Sequence, residues 1–320
     1  MKSALTATKH FASLGLSLFR DSMYDAGRMV RYSHGSVRPI SQAQSQYRIR
    51  KAYHGIEKGL SLPNPRYRFG LAKVHNLIAM VNEHIRKYGL DSTAAAASSA
   101  VLAYDEVNDT DLADRLYGVH QTRDLRVGGT EVVMPMTFAD PATFLKSRRS
   151  VRQFTDEPVP RSVIEQAVAI AQNAPSVCNR QGCKVYAFDN PEVLSLQPGN
   201  AGFGDTAAWG LIVTSDLKAF STSGERHQAW CDGGMFAMSL LYGLHALKLG
   251  ACPLAWTASA RRDRSVRKSL GIPDNEVIVM FIAVGAVGDS YVVAKSARKD
   301  PRDALVFGHH PGMPVSATRN

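Results

Sequence analysis

The chain has 320 residues, 45% of them hydrophobic, and 38 Lys+Arg against 28 Asp+Glu, a net charge of +10. That length buries a sizeable core as one large domain or two ordinary ones, and the composition excludes collagen-like, disulfide-scaffold and wholly disordered classes. A basic total points first to nucleic acid or an anionic membrane, but residues 1–70 hold 12 Lys+Arg and three acids, net +9, leaving +1 for the rest. The basic stretch has no nucleic-acid module and no dense aromatic interleaving, so no nucleic-acid partner is expected. The charge reads as an appendage on a nearly neutral body.

Four cysteines (Cys178, Cys183, Cys231, Cys252) give neither a disulfide framework nor a CxxC pair. No His/Cys spacing suits zinc, so reduced thiols, a cytoplasmic setting and no metal are expected. No run reaches the roughly 18 apolar residues of a membrane span. Lys2 and Lys9 precede an apolar stretch over 11–19 that Ser and Gly interrupt, and Arg20-Asp21 follows without a cleavage site. This is a basic amphipathic helix rather than a signal peptide. Within residues 1–40 it either covers the body or makes peripheral contact with anionic lipid.

In chain order, turns fall at 33–39 and 61–65, where each Pro restricts the residue before it. Val74, Leu77, Ile78, Val81 and Ile85 form a 3.6-period stripe over 70–88. Gly89 stops that helix, and Ser92-Thr93 starts an Ala-rich one to Val107. After residue 140 a short helix ends at Lys146 and another covers 160–173. Buried strands are predicted at 184–188, 209–214, 251–256 and 277–287, and helices at 225–249 and 262–270. The helix at 225–249 is apolar on most of its circumference, through Trp230, Phe236, Leu240 and Leu244 among others. It lies either at the centre of one core or at a face shared between subunits. Gly233-Gly234 would admit a close neighbour. Helices mixed with strands indicate an α+β or α/β sandwich.

Four segments carry polar groups suited to a ligand. Arg148, Arg149, Ser150 and Arg152 place three guanidinium groups and a hydroxyl where they can grip a phosphate, or form a solvated basic turn. In 174–181, Pro175, Ser176 and Asn179 offer polar groups for a heteroaromatic rim or ribityl chain, or cap a local turn. At 249–256, backbone N–H groups near Ala255 and Trp256 face a ligand, with Trp256 as a ring platform, or the segment is an ordinary buried strand. Beyond the last strand, Arg298 and its basic neighbours meet the same phosphate or are surface charge.

In this order the segments "RRSVRQF", "APSVCNRQ", "LGACPL" and "ARKDP" resemble the nitroreductase-like FMN flavoprotein family over about 141–308. The resemblance implies an α+β nitroreductase-like sandwich, a central sheet with flanking helices, that dimerises with FMN at the subunit interface. It implies that Arg148 and Arg298 bind the FMN phosphate, with Arg149 and Ser150 beside the ribityl-phosphate. Arg152 would lie at the flavin pyrimidine edge. Pro175, Ser176 and Asn179 would reach the flavin from the other subunit, and the N–H groups of Ala255 or Trp256 would address flavin N5. NAD(P)H would be the electron donor. The chemistry is then centred on the flavin, and no catalytic side chain is required.

The chain departs from many relatives where Gly182-Cys183 follows Gln181, and where Leu254-Ala255-Trp256 follows Pro253. Upstream, "KAYHGIEKGLSLPNPR" (51–66) resembles an extension found in polysaccharide-biosynthesis-associated members. There His54 and Glu57 share a helix face, either as a salt-linked helix end or as part of a lid. The expected organisation is a basic helical extension at 1–140, an FMN-binding domain at 141–310 and a tail at 311–320. The expected function is a homodimeric FMN-dependent NAD(P)H oxidoreductase acting by ping-pong on a small nitro, quinone or related acceptor. The alternative is a non-catalytic dimeric scaffold whose basic segment binds anionic lipid or glycan.

Overall fold

The computed structural model describes residues 2–33, 41–62, 66–125, 127–130, 140–294 and 300–307. Helices α1 (Lys2–Tyr32), α2 (Gln42–Leu60), α3 (Leu71–Tyr88), α4 (Ser92–Asn108) and the short α5 (Val119–Thr122) come first. α6 (Pro141–Ser147) and α7 (Arg161–Ala171) lead into β1 (Cys183–Phe188) and β2 (Trp209–Asp216). α8 (Gln228–Ala246), β3 (Gly250–Ala255), α9 (Ala260–Ser269) and β4 (Glu276–Gly285) complete the set. Most of the turn expected at 33–39, part of that at 61–65 and all of the expected tail at 311–320 lie outside the described residues.

The upstream helices build their own core. Val74, Leu77, Ile78 and Val81 of α3 meet Ile49, Tyr53 and Ile56 of α2 and the Ala-rich face of α4. α2 begins with a capping box at Ser41 and Gln44, and α4 with the Asp91 carboxylate accepting from Thr93 N and Ala94 N. The helix starts at Ser92, as expected, with Asp91 as its cap.

The four strands form one antiparallel sheet in the order β1-β2-β4-β3. Alternation divides its residues between two cores. Leu211, Val213, Ile282 and Val284 face α7 and α8, whereas Ile212, Cys252, Leu254, Phe281 and Ala283 face α9 and the turns over 191–206. The register shifts where Val213 pairs Met280 and Thr214 pairs Ile278, leaving Val279 as the extra residue of a bulge. A Cβ on Gly233 of α8 would come within 2.5 Å of the Val279 Cγ2 atom. Gly233 therefore makes room for the bulge, while Gly234 faces open space.

The basic segment is not an appendage. Arg28 of α1 is buried, donating from Nε to Asp274 O at 3.0 Å and from Nη2 to Glu276 O at 2.6 Å. Tyr24 donates to Asp263 of α9 at 2.9 Å. On α2, Tyr47 donates to Asp216 at 3.2 Å, Lys51 donates to Ser221 at 3.3 Å and Arg50 donates to Arg180 O at 3.5 Å. A fourth core of Tyr47, Leu217, Phe220, Ala229 and Val277 closes the seam, with Met29 and Tyr32 against it. Charge counting missed this because a sum over residues carries no information about which cations are buried.

Candidate active site

The Arg-rich turn is fixed by its two flanks. Asp140 caps α6, accepting from Thr143 N at 3.0 Å, and Pro141 occupies the first turn. At Arg148 ψ swings to 128°, and the extended chain lies against the edge strand. Ser150 bridges Ala251 in parallel, and Val151 N donates to Ala251 O at 3.0 Å. Arg148 is held there with its Nη1 atom buried and without a hydrogen-bond partner. An orphaned donor of this kind costs about 1–3 kcal/mol, and an oxyanion would satisfy it with a charge-assisted bond. Beside it, Ser147 Oγ and His245 Nε2 are 2.7 Å apart, and burial followed by the Arg148 charge lowers the His245 pKa. Arg149 folds back onto the carbonyls of Lys146 and Arg148. Arg152 is exposed, with its guanidinium 5.8 Å from the Phe203 ring centroid.

The 174–181 loop is strained and anchored. Cys178, Asn179 and Gln181 adopt φ of 50°, 50° and 55°, left-handed values that cost of order 1–3 kcal/mol each for non-glycine residues. Three attachments hold it. Val177 N donates to both Asp232 oxygens at 3.2 Å, and Ser176 Oγ accepts from Gln181 N at 3.0 Å. The fully buried Arg180 donates to Ala219 O at 2.7 Å and to both oxygens of Glu225. Asn179 accepts from the Gln181 amide at 3.1 Å. Arg180 stood inside the motif read from sequence, but its partners are 39 and 45 residues downstream, so no local signal marked it as the anchor.

Both groups rest on α8, at opposite ends. α6 meets its C-terminal part, with Phe144 5.1 Å from the His245 ring and 6.0 Å from the Tyr242 ring. The loop meets its N-terminal part at Asp232. At 1.5 Å rise per residue, Asp232 and His245 are about 20 Å apart along the axis. One chain therefore does not bring Arg148 and Ser150 together with Pro175, Ser176 and Asn179. Between them α8 presents an outward strip of Cys231, Gly234, Met235, Met238 and Tyr242, flanked by exposed Phe144 and Leu145.

At the end of β3, Ala255 is exposed and its carbonyl accepts from Gln197 Nε2 at 2.8 Å. The Trp256 indole turns into the core on the α9 side, donating to Asp263 at 3.0 Å with its ring 5.1 Å from that of Phe281. Its side chain is thus committed to packing and is not a free ring platform. Asp263 collects Tyr24, Trp256 and Arg267, and these hydrogen bonds hold its pKa down against burial, the largest single influence. Arg298 lies outside the described residues, so it has no place in this geometry. His54 Nδ1 is 3.8 Å from Glu57, which also accepts from Gly129 N at 3.0 Å, so this end of α2 is tied to the segment 127–130. Among the described residues no group of three His, Cys, Asp or Glu is arranged to hold a metal, and no helix is long and apolar enough to cross a membrane.

Residues 145–197 and 191–286 match the family model described as Nitroreductase family. Over these residues the chain is similar to that family. A Thermus thermophilus protein named NADH dehydrogenase is 25% identical over 190 residues, covering 48% of this chain and 89% of that protein. An Archaeoglobus fulgidus protein, whose name couples NADH dehydrogenase with NAD(P)H nitroreductase, is 26% identical over 143 residues, covering 43% of this chain and 80% of its own. Among solved structures, an FMN-dependent nitroreductase from Clostridium difficile is 20% identical, covers 52% of this chain and 98% of that one, and has a TM-score of 0.44.

Proposed function

We propose that the chain is a flavin-dependent oxidoreductase that binds FMN, takes electrons from NAD(P)H and passes them to a small acceptor. The observation that carries this reading is the buried, unpartnered Nη1 of Arg148 at the Arg148–Ser150 turn. A phosphate would satisfy such a donor with a charge-assisted bond, and the turn belongs to the nitroreductase-matched segment. The names of the curated relatives support NAD(P)H as the donor class.

In this reading Arg148 and the Ser150 hydroxyl hold the phosphate, and the Ser150–Ala251 bridge sets their position relative to the end of β3. Bound there, FMN would supply the redox chemistry. Arg152 brings a positive charge to the same edge of the sheet, where it favours negative charge on a bound ring. The backbone at Ala255 and Trp256 is held in place by Gln197 and by the Asp263–Trp256 bond, and this fixes which N–H groups face the ligand.

The second half of the site comes from another copy. The outward strip on α8 is apolar at Met235, Met238 and Tyr242, and burying it against a second α8 would bring one protomer's 174–181 loop toward the other's Arg148. A single site that admits donor and acceptor in turn implies ping-pong kinetics. Sharing a synthetic route with polysaccharide enzymes rests only on the 51–66 resemblance. Titration of the purified chain with FMN tests the reading: quenched flavin fluorescence at one equivalent per chain supports it, and no binding excludes it.

A second reading concerns α1. Leu16, Phe19, Met23 and Val30 lie on one face, 57% to 74% exposed, opposite Asp21, Tyr24 and Arg28, which face α9. That face suits shallow insertion into an anionic lipid surface. Flotation with anionic vesicles, compared with a variant carrying Leu16→Ser and Phe19→Ser, tests it.

A further inference from the structure

A cavity of about 200 Å³ opens where α2 crosses the 174–181 loop. Its walls are Pro175, Ser176 and Gln181 of the loop, Gln172 at the end of α7, Asp232 and Phe236 of α8, and Arg50 of α2. Arg50 comes from outside the nitroreductase-matched region. Its guanidinium donates one long bond to Arg180 O and sits 5.9 Å from the Tyr47 ring centroid. Among the described residues it forms no ion pair with a carboxylate, unlike the buried Arg28, Arg180 and Arg267. Asp232 is already engaged, accepting from Val177 N and from Gln228 Nε2 at 2.8 Å. The cavity therefore offers one cation without a carboxylate partner, a hydroxyl and two amides against an apolar wall of Phe236 and Pro175, beside an Asp232 carboxylate held by Val177 and Gln228.

A whole small-molecule site usually spans about 300–1,000 Å³. This volume suits one end of a ligand instead, and the lining sets the chemistry of that end as anionic and planar. α2 is not free to swing away, because Tyr47–Asp216 and Lys51–Ser221 bind it to the sheet and its margin on both sides of Arg50.

We propose that Arg50 is a specificity-determining residue and that the acceptor of this enzyme carries a carboxylate, which Arg50 binds in the cavity beside Ser176 and Gln181. The proposal rests on the oxidoreductase reading for the word acceptor, and on the cavity alone for the carboxylate. It gives the upstream helices a role at the site: they supply the charge that the sandwich does not.

The test compares the full chain with Arg50→Gln and Arg50→Lys, using nitrobenzene and 4-nitrobenzoate as acceptors and benzoate as a non-reacting probe. A charge-assisted hydrogen bond is worth a factor of about ten or more. The ratio of kcat/KM for 4-nitrobenzoate over nitrobenzene should exceed about ten in the parent, fall toward one in Arg50→Gln through KM, and largely survive in Arg50→Lys. Benzoate binding by calorimetry should weaken by a similar factor in Arg50→Gln, and this arm needs no flavin turnover. A ratio near one in the parent, or one untouched by Arg50→Gln, overturns the proposal while leaving the oxidoreductase reading in place. If the chain binds no flavin, the oxidoreductase reading fails separately, and benzoate binding that depends on Arg50 still decides the carboxylate site.

Discussion

Arg180 clasps Glu225 with two nitrogens, Nη1 at 3.0 Å from Oε2 and Nη2 at 2.6 Å from Oε1, and its side chain is fully buried. Glu225 also accepts from Ser221 N and Ser221 Oγ. Although burial alone would raise it, the Arg180 bond and these others bring the Glu225 pKa down to about 2. Removing the carboxylate leaves a buried guanidinium short of its counter-charge, which costs about 3 kcal/mol. Glu225→Ala should therefore lower stability by that order in urea unfolding at neutral pH, with the loss of order concentrated in the 174–181 loop.

The same pair fixes a pH dependence. The folded-state pKa of Glu225 lies below its unfolded value near 4.5, so its stabilisation is fully present above that value. It is lost as pH falls from about 4.5 toward about 2. The stability gap between the parent and Glu225→Ala should narrow across that window. A gap that is constant from neutral pH to pH 2 would show that the ion pair contributes nothing.

Arg148→Gln removes the charge behind the orphaned Nη1 while keeping an amide donor. FMN affinity, read by fluorescence titration, should fall by about tenfold or more, with the far-ultraviolet spectrum unchanged. Mixing Arg148→Gln with a Ser176→Ala/Asn179→Ala variant gives heterodimers in which one interface holds both intact halves. Such heterodimers should regain a parent-like flavin affinity in half of their sites, which neither variant has alone.

Gly233→Ala tests the fit between α8 and the bulge. The added methyl meets Val279 at 2.5 Å, and overpacking of this kind costs about 1–3 kcal/mol. Val279→Ala in the same chain should recover part of that loss in thermal unfolding. Gly234→Ala, with nothing within 4 Å inside the protomer, should leave the fit of α8 to the bulge unchanged.

Asp263→Asn tests how α1 is fastened. It removes the negative charge that Arg28 and Arg267 share, at 3.6 Å and 2.9 Å, and weakens the acceptor for Tyr24 and Trp256. Limited proteolysis within α1 should accelerate while cleavage elsewhere does not.

Much of this molecule was legible from local pattern. The stripe Val74-Leu77-Ile78-Val81 places α3 within a residue of its observed start, and its stop at Gly89 is the observed C-cap. The strand at 277–287 is β4, shifted by one or two residues. The long apolar helix is shorter than read at both ends, Gln228–Ala246, with a 3₁₀ turn at Ser223–Glu225 before it and Leu247 as its C-cap. The core reading of its burial holds for Phe236, Leu240 and Leu244, while Met235 is outward. What stayed hidden is what joins distant residues. Arg28 to Glu276 and Tyr24 to Asp263 span more than 230 positions, and polar residues have no periodicity that announces a partner so far away. The orphaned Arg148 belongs to the motif, but that it is unpartnered is a property of the packing.

The central claim is that this chain carries a flavin reducible by a nicotinamide donor, and the visible spectrum of the purified full chain tests it most directly. Reconstituted with FMN and desalted, the protein should retain the yellow flavin bands, and anaerobic addition of NADH or NADPH should bleach them. Bands that wash away on desalting, or bound flavin that neither donor reduces, would contradict the account.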